Sequence, residues 1–160
     1  MKKIAINCEL NIYTNIEVLD ITSKNLMNEA IKARSKAYAP YSKFQVGTAI
    51  LLENGAIIIG SNQENAAYPS GLCAERVAIF QAGALYPDVN ILKIAISATS
   101  QLKPVLSPIP PCGACRQSIA EYEIKQNKPI QILFMGEDGE IHESASLKNL
   151  LPFGFDKKYL

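Results

Sequence analysis

The sequence predicts an α/β fold in which helices cover both faces of a mixed sheet of about five strands. Three observations predict it. Apolar runs of strand length alternate with segments of helical period, two pairs of runs flank short turn signals, and Ile91 to Ala98 is apolar almost throughout. A strand of that last kind is covered on both faces, so helices must lie on either side of the sheet. With 160 residues, 48% hydrophobic and 19% charged, the chain has the balance of one ordinary domain with a substantial core.

Each element follows in order. Ser23 precedes Leu26, Ala30, Ala33 and Ala37, a stripe with the spacing of one helix face, and Pro40 stops it. Phe44 to Leu52 and Ala56 to Gly60 flank Asn54-Gly55, a pair that tolerates the positive φ angles of a hairpin turn. Asn62 to Leu72 holds Pro69 and Gly71 without periodicity and reads as a loop, whereas Cys73 to Ala84 reads as a helix apolar on nearly every side, hence buried. After the strand at Ile91 to Ala98, the prolines of Pro108-Ile109-Pro110-Pro111 forbid regular structure up to Cys112. A helix then runs from about Gly113 to just before Lys128-Pro129. Ile130 to Phe134 and Glu140 to His142 form a second hairpin across Glu137-Asp138-Gly139, Leu147 to Leu151 a short last helix, and Pro152 to Leu160 a tail. Residues 1–22 read either as a strand added at an edge or as a disordered lead.

Charge and composition exclude several classes. Sixteen basic against 15 acidic residues give a net charge of +1, without the excess expected of a protein that binds phosphate backbones, so no nucleic acid partner is expected. The start Met1 to Ile6 looks briefly like a signal peptide, but Asn7 and Glu9 interrupt it. No run approaches the eighteen or so apolar residues of a membrane span. Four cysteines, two of them in Cys112-Gly113-Ala114-Cys115, suit a metal or redox site in a reducing compartment rather than a disulfide scaffold, and the cytoplasm is the expected location.

The chemistry lies in Cys73-Ala74-Glu75-Arg76 and Pro111-Cys112-Gly113-Ala114-Cys115, both at the start of a helix. A thiolate-held zinc, a glutamate that is not a ligand and a Pro-Cys-x-x-Cys element are the parts of a nucleobase deaminase centre. Three thiolates leave a tetrahedral ion one open position, as a catalytic site requires. They also leave the centre at about −1, which weakens Lewis acidity unless positive charge offsets it. Two helix N-termini contribute, and Arg76 and Arg116 stand nearby; the main share falls to Arg76, through hydrogen bonds to sulfur. Blander readings stand beside these. A lone Cys-x-x-Cys is more often a structural knuckle or redox pair, and Cys8 could close a four-thiolate site in a non-catalytic zinc module. His142, the only histidine, reads as a partly exposed residue beside a turn that does not join the metal.

From about Asn25 to Phe155 the chain resembles the homotetrameric cytidine deaminases. The matching stretches are Tyr38-Ala39-Pro40-Tyr41-Ser42-Lys43-Phe44-Gln45-Val46-Gly47, Asn62-Gln63-Glu64-Asn65-Ala66-Ala67-Tyr68, Cys73-Ala74-Glu75-Arg76, Pro111-Cys112-Gly113-Ala114-Cys115-Arg116-Gln117 and Leu150-Leu151-Pro152. The resemblance implies a three-layer αβα cytidine deaminase-like fold at 23–160 behind an N-terminal extension at 1–22. It also implies one zinc per chain on Cys73, Cys112 and Cys115, with Glu75 as proton shuttle. Phe44 would pack on the pyrimidine, Asn62 and Glu64 would bind the ribose 3′-hydroxyl, and the backbone around Ala74 and Pro111 would read the base edge. Phe155 would enter the pocket of an adjacent subunit of a homotetramer. The implied reaction is hydrolysis of cytidine, and of 2′-deoxycytidine, to uridine or deoxyuridine and ammonia, in pyrimidine salvage. A deaminase of a cytosine-containing antibiotic such as blasticidin S is the nearest rival, against which Asn62, Glu64 and Arg76 argue. Residues 1–22 exceed the family's common length, Ser107 to Pro111 is unusually proline-rich, and Phe153 and Gly154 vary the tail.

Overall fold

A computed structural model describes residues 1–160. Its elements are β1 (Asn11–Tyr13), α1 (Ile21–Arg34), β2 (Phe44–Leu52), β3 (Ile57–Ser61), α2 (Ala74–Leu85), β4 (Ile91–Ser100), α3 (Gly113–Gln126), β5 (Gln131–Met135) and β6 (Ile141–Ser144), with 3₁₀ turns at Ile16–Val18, Tyr68–Ser70, Leu147–Asn149 and Lys157–Tyr159. The six strands form one mixed sheet in the order β1-β6-β5-β4-β2-β3. Only β4 and β5 run parallel, joined by a crossover through α3; every other neighbour pair is antiparallel.

Period-two alternation builds the three layers. Ala49, Ala95 and Leu133 face the α1 side, where they pack with Leu26, Met27 and Ala30. Their neighbours Ile50, Ile94, Ile96, Ile132 and Phe134 face the opposite side, against Ala78 and Ile79 of α2 and Ile119 of α3. Two glycines set how closely the helices approach. A Cβ at Gly47 would lie 2.1 Å from the Ala30 carbonyl oxygen of α1, and one at Gly60 would lie 2.5 Å from the Ala74 carbonyl oxygen of α2. The absent side chain at Gly60 therefore fixes the depth at which the first turn of α2, and with it Cys73 and Glu75, sits on the sheet.

The structure corrects the reading of the sequence at several points. The sheet has six strands, not about five, because β1 pairs with β6 at the edge. Of the two readings of residues 1–22, the edge strand is the one observed; three mostly exposed residues carry too little alternation to decide between them from sequence. Helix α1 begins at Ile21 rather than Ser23, because the Asp20 carboxylate accepts from the N–H groups of Thr22 and Ser23, and it ends at Arg34, well before Pro40. The short last helix is only a 3₁₀ turn, Leu147–Asn149, whose first N–H donates to the buried Glu123 carboxylate at 2.9 Å. Finally, α2 is not buried all round. Ala74, Ala78, Ile79 and Ala82 are covered by the sheet, while Phe80 and Leu85 on the far side are exposed. No helix is long and apolar enough to cross a membrane.

Candidate active site

Cys73 is the N-cap residue of α2 and Cys112 that of α3, each extended before the helix begins. Neither thiol caps its own helix. Both sulfurs are instead directed at each other, 3.9 Å apart, and Cys112 lies 3.5 Å from Cys115, one turn into α3. The three Sγ atoms all lie within 4.8 Å of one another. Zinc–sulfur bonds of about 2.3 Å in tetrahedral geometry place sulfurs about 3.8 Å apart, so the donor set fits that ion in spacing as well as chemistry. Cys115 is buried, Cys73 half-buried and Cys112 exposed, which leaves the cluster accessible from one side. Cys8 is exposed in the N-terminal segment and is not part of the cluster.

The electrostatics follow from this crowding. The Cys73 thiol is drawn down to about 5, first by the hydrogen bond from Cys115 and then by Arg76 and Cys112. The same bond, with burial and the negative charge of Glu75, pushes the Cys115 thiol up. Glu75, in the first turn of α2, is only 5% exposed. Burial raises its carboxyl above the usual range, and the Cys73 charge adds to the shift. Arg76 stands near the same sulfurs, with Nη2 donating to the Gly71 carbonyl at 3.5 Å and Nε buried without a partner; against the opposing effect of burial, its proximity to Cys73 and Cys115 holds its guanidinium more firmly protonated. Arg116 does not share that position. Its Nε donates to the Pro111 carbonyl at 2.7 Å and its Nη1 to the Leu150 carbonyl at 2.9 Å, so it ties the Pro-Cys segment to the C-terminal part of the chain.

Beside the sulfurs opens a cavity of about 460 Å³. Asn62, Glu64, Cys73 and Arg76 line it, as do Tyr41 and Tyr68, whose rings stand 6.2 Å apart. Asn62 lies just past β3 and grips the start of β2, donating from Nδ2 to the Phe44 carbonyl at 2.9 Å and accepting from Val46 N–H at 2.8 Å. Phe44 therefore stands at the head of β2 with its backbone tied to a cavity residue. Ala74 is fully buried behind Cys73. Phe155 lies elsewhere: it is 56% exposed and stacks on Tyr159 at 5.7 Å, in a groove with Ile6, Ile124 and Leu151. His142 also lies outside the sulfur cluster, half-buried and edge-on to Phe134.

Sequence reasoning did not single out Tyr41, Ser42, Tyr68 and Leu72, which also line the cavity. All but Leu72 fall within the stretches that carry the family resemblance, so the signal was present without a means of separating cavity-facing positions from their neighbours.

Three cysteine sulfurs at two helix N-termini beside a buried carboxyl, on an αβα sandwich, make an α/β protein with a candidate metal centre. Residues 21–128 match the family model described as the cytidine and deoxycytidylate deaminase zinc-binding region. The chain is 43% identical over 131 residues to a cytidine deaminase of Halalkalibacterium halodurans, covering 81% of this chain and 91% of that one. It is 42% identical over 138 residues to a cytidine deaminase of Sporosarcina psychrophila, covering 86% and 93%. Among solved structures it superposes on a cytidine deaminase from Burkholderia pseudomallei with a TM-score of 0.69 at 37% identity, covering 82% of this chain and 97% of that one. This chain belongs to the cytidine deaminase family.

Proposed function

We propose that the protein is a zinc-dependent enzyme that hydrolyses cytidine and 2′-deoxycytidine to uridine or deoxyuridine and ammonia, serving pyrimidine salvage in the cytoplasm. The observation that carries this reading is the convergence of Cys73, Cys112 and Cys115 within 4.8 Å beside the buried Glu75, at a cavity lined by Asn62 and Glu64. Cys73, Cys112 and Cys115 hold one zinc ion per chain. When bound, zinc supplies the Lewis acidity that makes a water nucleophilic near neutral pH.

Glu75 moves the protons. Its carboxylate accepts one from the attacking water and delivers it to ring N3 as the water oxygen adds to C4; it then carries the remaining proton of the new C4 hydroxyl to the amino group, so that the C4 carbonyl forms as the C4–N bond breaks and ammonia leaves. Burial suits it to both roles, because a carboxyl raised above its usual range takes up a proton readily and also gives it back. Arg76 offsets the thiolate charge. Phe44 packs on the pyrimidine face, the backbone around Ala74 and Pro111 reads the base edge, and Asn62 and Glu64 hydrogen-bond the ribose 3′-hydroxyl.

A homotetramer with shared active sites completes the proposal, with 1–22 as an extension to the catalytic domain at 23–160. Its support is exposed apolar surface: Phe153 and Phe155 in the tail are 84% and 56% exposed, and Phe80 and Leu85 of α2 lack a covering partner in the chain. Phe155 would then reach a neighbouring cavity rather than its own. Incubation of the zinc-loaded protein with cytidine, following loss of cytidine absorbance as uridine forms, tests the reading; absence of turnover would refute it.

A further inference from the structure

We propose that Ser42 is a positioning residue that couples the base subsite to the sugar subsite and gives Glu64 a single direction in which to accept a substrate hydroxyl. The inference rests on the reading of Phe44, Asn62 and Glu64 as substrate-contacting groups.

The Ser42 hydroxyl sits between two of those residues. It donates to Glu64 Oε1 and accepts from the Phe44 N–H at 3.0 Å. A hydroxyl can do both at once, which neither a methyl nor an ammonium can. Asn62 holds the other side of the same residue through the Phe44 carbonyl. Both ends of Phe44 are thus fixed by the groups that line the sugar side of the cavity.

The arrangement also counts acceptor sites. An ionised carboxylate offers about four lone-pair sites. On Glu64, Oε2 accepts from the N–H groups of Tyr41 at 2.9 Å and Ser42 at 3.2 Å, and Oε1 from the Ser42 hydroxyl. One site on Oε1 remains. The same bonds, led by that from Ser42, hold the Glu64 carboxyl below its usual range, so it stays ionised and acceptor-only. Without the hydroxyl, Oε1 would keep two open sites and no fixed orientation, and the Phe44 N–H would lose its partner.

The loop is held for this purpose against its own preference. Lys43 adopts a φ of +59°, in the left-handed region that a side chain disfavours. Its N–H donates to the Ala39 carbonyl at 3.2 Å, and its carbonyl accepts from Gln101 N–H at 3.0 Å. That turn brings the Ser42 hydroxyl back over Phe44 instead of letting it point outward along an extended strand.

The test compares wild type, Ser42→Ala and Ser42→Thr, each zinc-loaded, on cytidine and on 3′-deoxycytidine, which lacks the hydroxyl that Glu64 would accept. Wild type is expected to prefer cytidine. Ser42→Ala should raise KM for cytidine about tenfold, the loss of one oriented charge-assisted hydrogen bond, and KM for 3′-deoxycytidine by a smaller factor through the freed Phe44 N–H, with kcat little changed on either. Ser42→Thr, which keeps the hydroxyl, should restore the cytidine KM. Equal losses on both substrates, an effect confined to kcat, or no rescue by threonine would overturn the role of Ser42. Wild type that deaminates both substrates equally would remove the sugar subsite and this inference with it, whereas wild type active on neither would remove the deaminase reading as well.

Discussion

The sulfurs of Cys73 and Cys112 lie 3.9 Å apart although 39 positions separate them in the chain. Each is the residue at which a helix starts, and α2 and α3 lie on the same face of the sheet, so the meeting of two helix N-termini creates the cluster. Both macrodipoles place partial positive charge there, which favours the ionised form of the Cys73 sulfur.

Because the cluster is closed by those two N-caps and Cys115, Cys112→Ser and Cys115→Ser are each expected to lose bound metal, and Cys8→Ser to retain it. Zinc per chain, measured by elemental analysis after dialysis, checks this. A Cys8 variant without zinc would show that the N-terminal segment supplies a fourth ligand.

Glu75→Gln should retain the fold and zinc while losing turnover by roughly 10²–10⁴-fold. The amide keeps the size of the buried side chain and removes its ability to shuttle a proton. Steady-state kinetics with metal analysis on the same preparation decide the matter, and activity above a few per cent of wild type would rule out the assigned role.

Arg76→Gln removes the cation that stands near Cys73 and Cys115. The thiolate cluster then carries uncompensated charge, and turnover should fall by about 10–100-fold at unchanged zinc occupancy. Normal turnover at full occupancy would mean that the helix termini supply the compensation alone.

Asp20→Ala tests the cap of α1. The carboxylate accepts from the Ser23 hydroxyl and from two backbone N–H groups, and these bonds, that of Ser23 foremost, lower its pKa to about 2. A folded-state value below the unfolded one means that the contribution is complete above about pH 4 and fades as pH falls through 2. Loss of the cap should destabilise the protein by about 1 kcal/mol near neutral pH, kept small by the exposure of the group. The gap between wild type and variant should close toward pH 2; denaturant melts across pH 2 to 7 measure it, and a gap independent of pH would contradict the linkage.

Deleting residues 153–160 removes Phe153, Phe155 and Tyr159, and should raise KM for cytidine by about 2–10-fold, the scale of one aromatic contact, with zinc content little changed. Sedimentation of the full-length protein should give a tetramer. A fully active monomer, or a truncated chain with unchanged kinetics, would exclude a shared site.

The sequence by itself determined the alternating layers and the motifs in which the candidate site residues stand. Ile50, Ile94 and Ile132 alternate with Ala49, Ala95 and Leu133, and that local period requires helices on both faces. Cys73-x-Glu75 and Cys112-x-x-Cys115 are patterns of short-range spacing, so they were legible one motif at a time. Tertiary structure decided what depends on long-range approach. Arg76 lies near the sulfurs while Arg116 turns to the carbonyls of Pro111 and Leu150, although both stand within three residues of a ligand-type cysteine. The edge strand β1 exists only because β6 offers it a ladder. Ser42 reaches Glu64 across 22 positions because Lys43 turns the chain back. Periodicity and spacing are properties of neighbours along the chain, whereas which side chains share one cavity depends on how helices and loops from distant positions pack on the sheet, and that became visible only in the folded molecule.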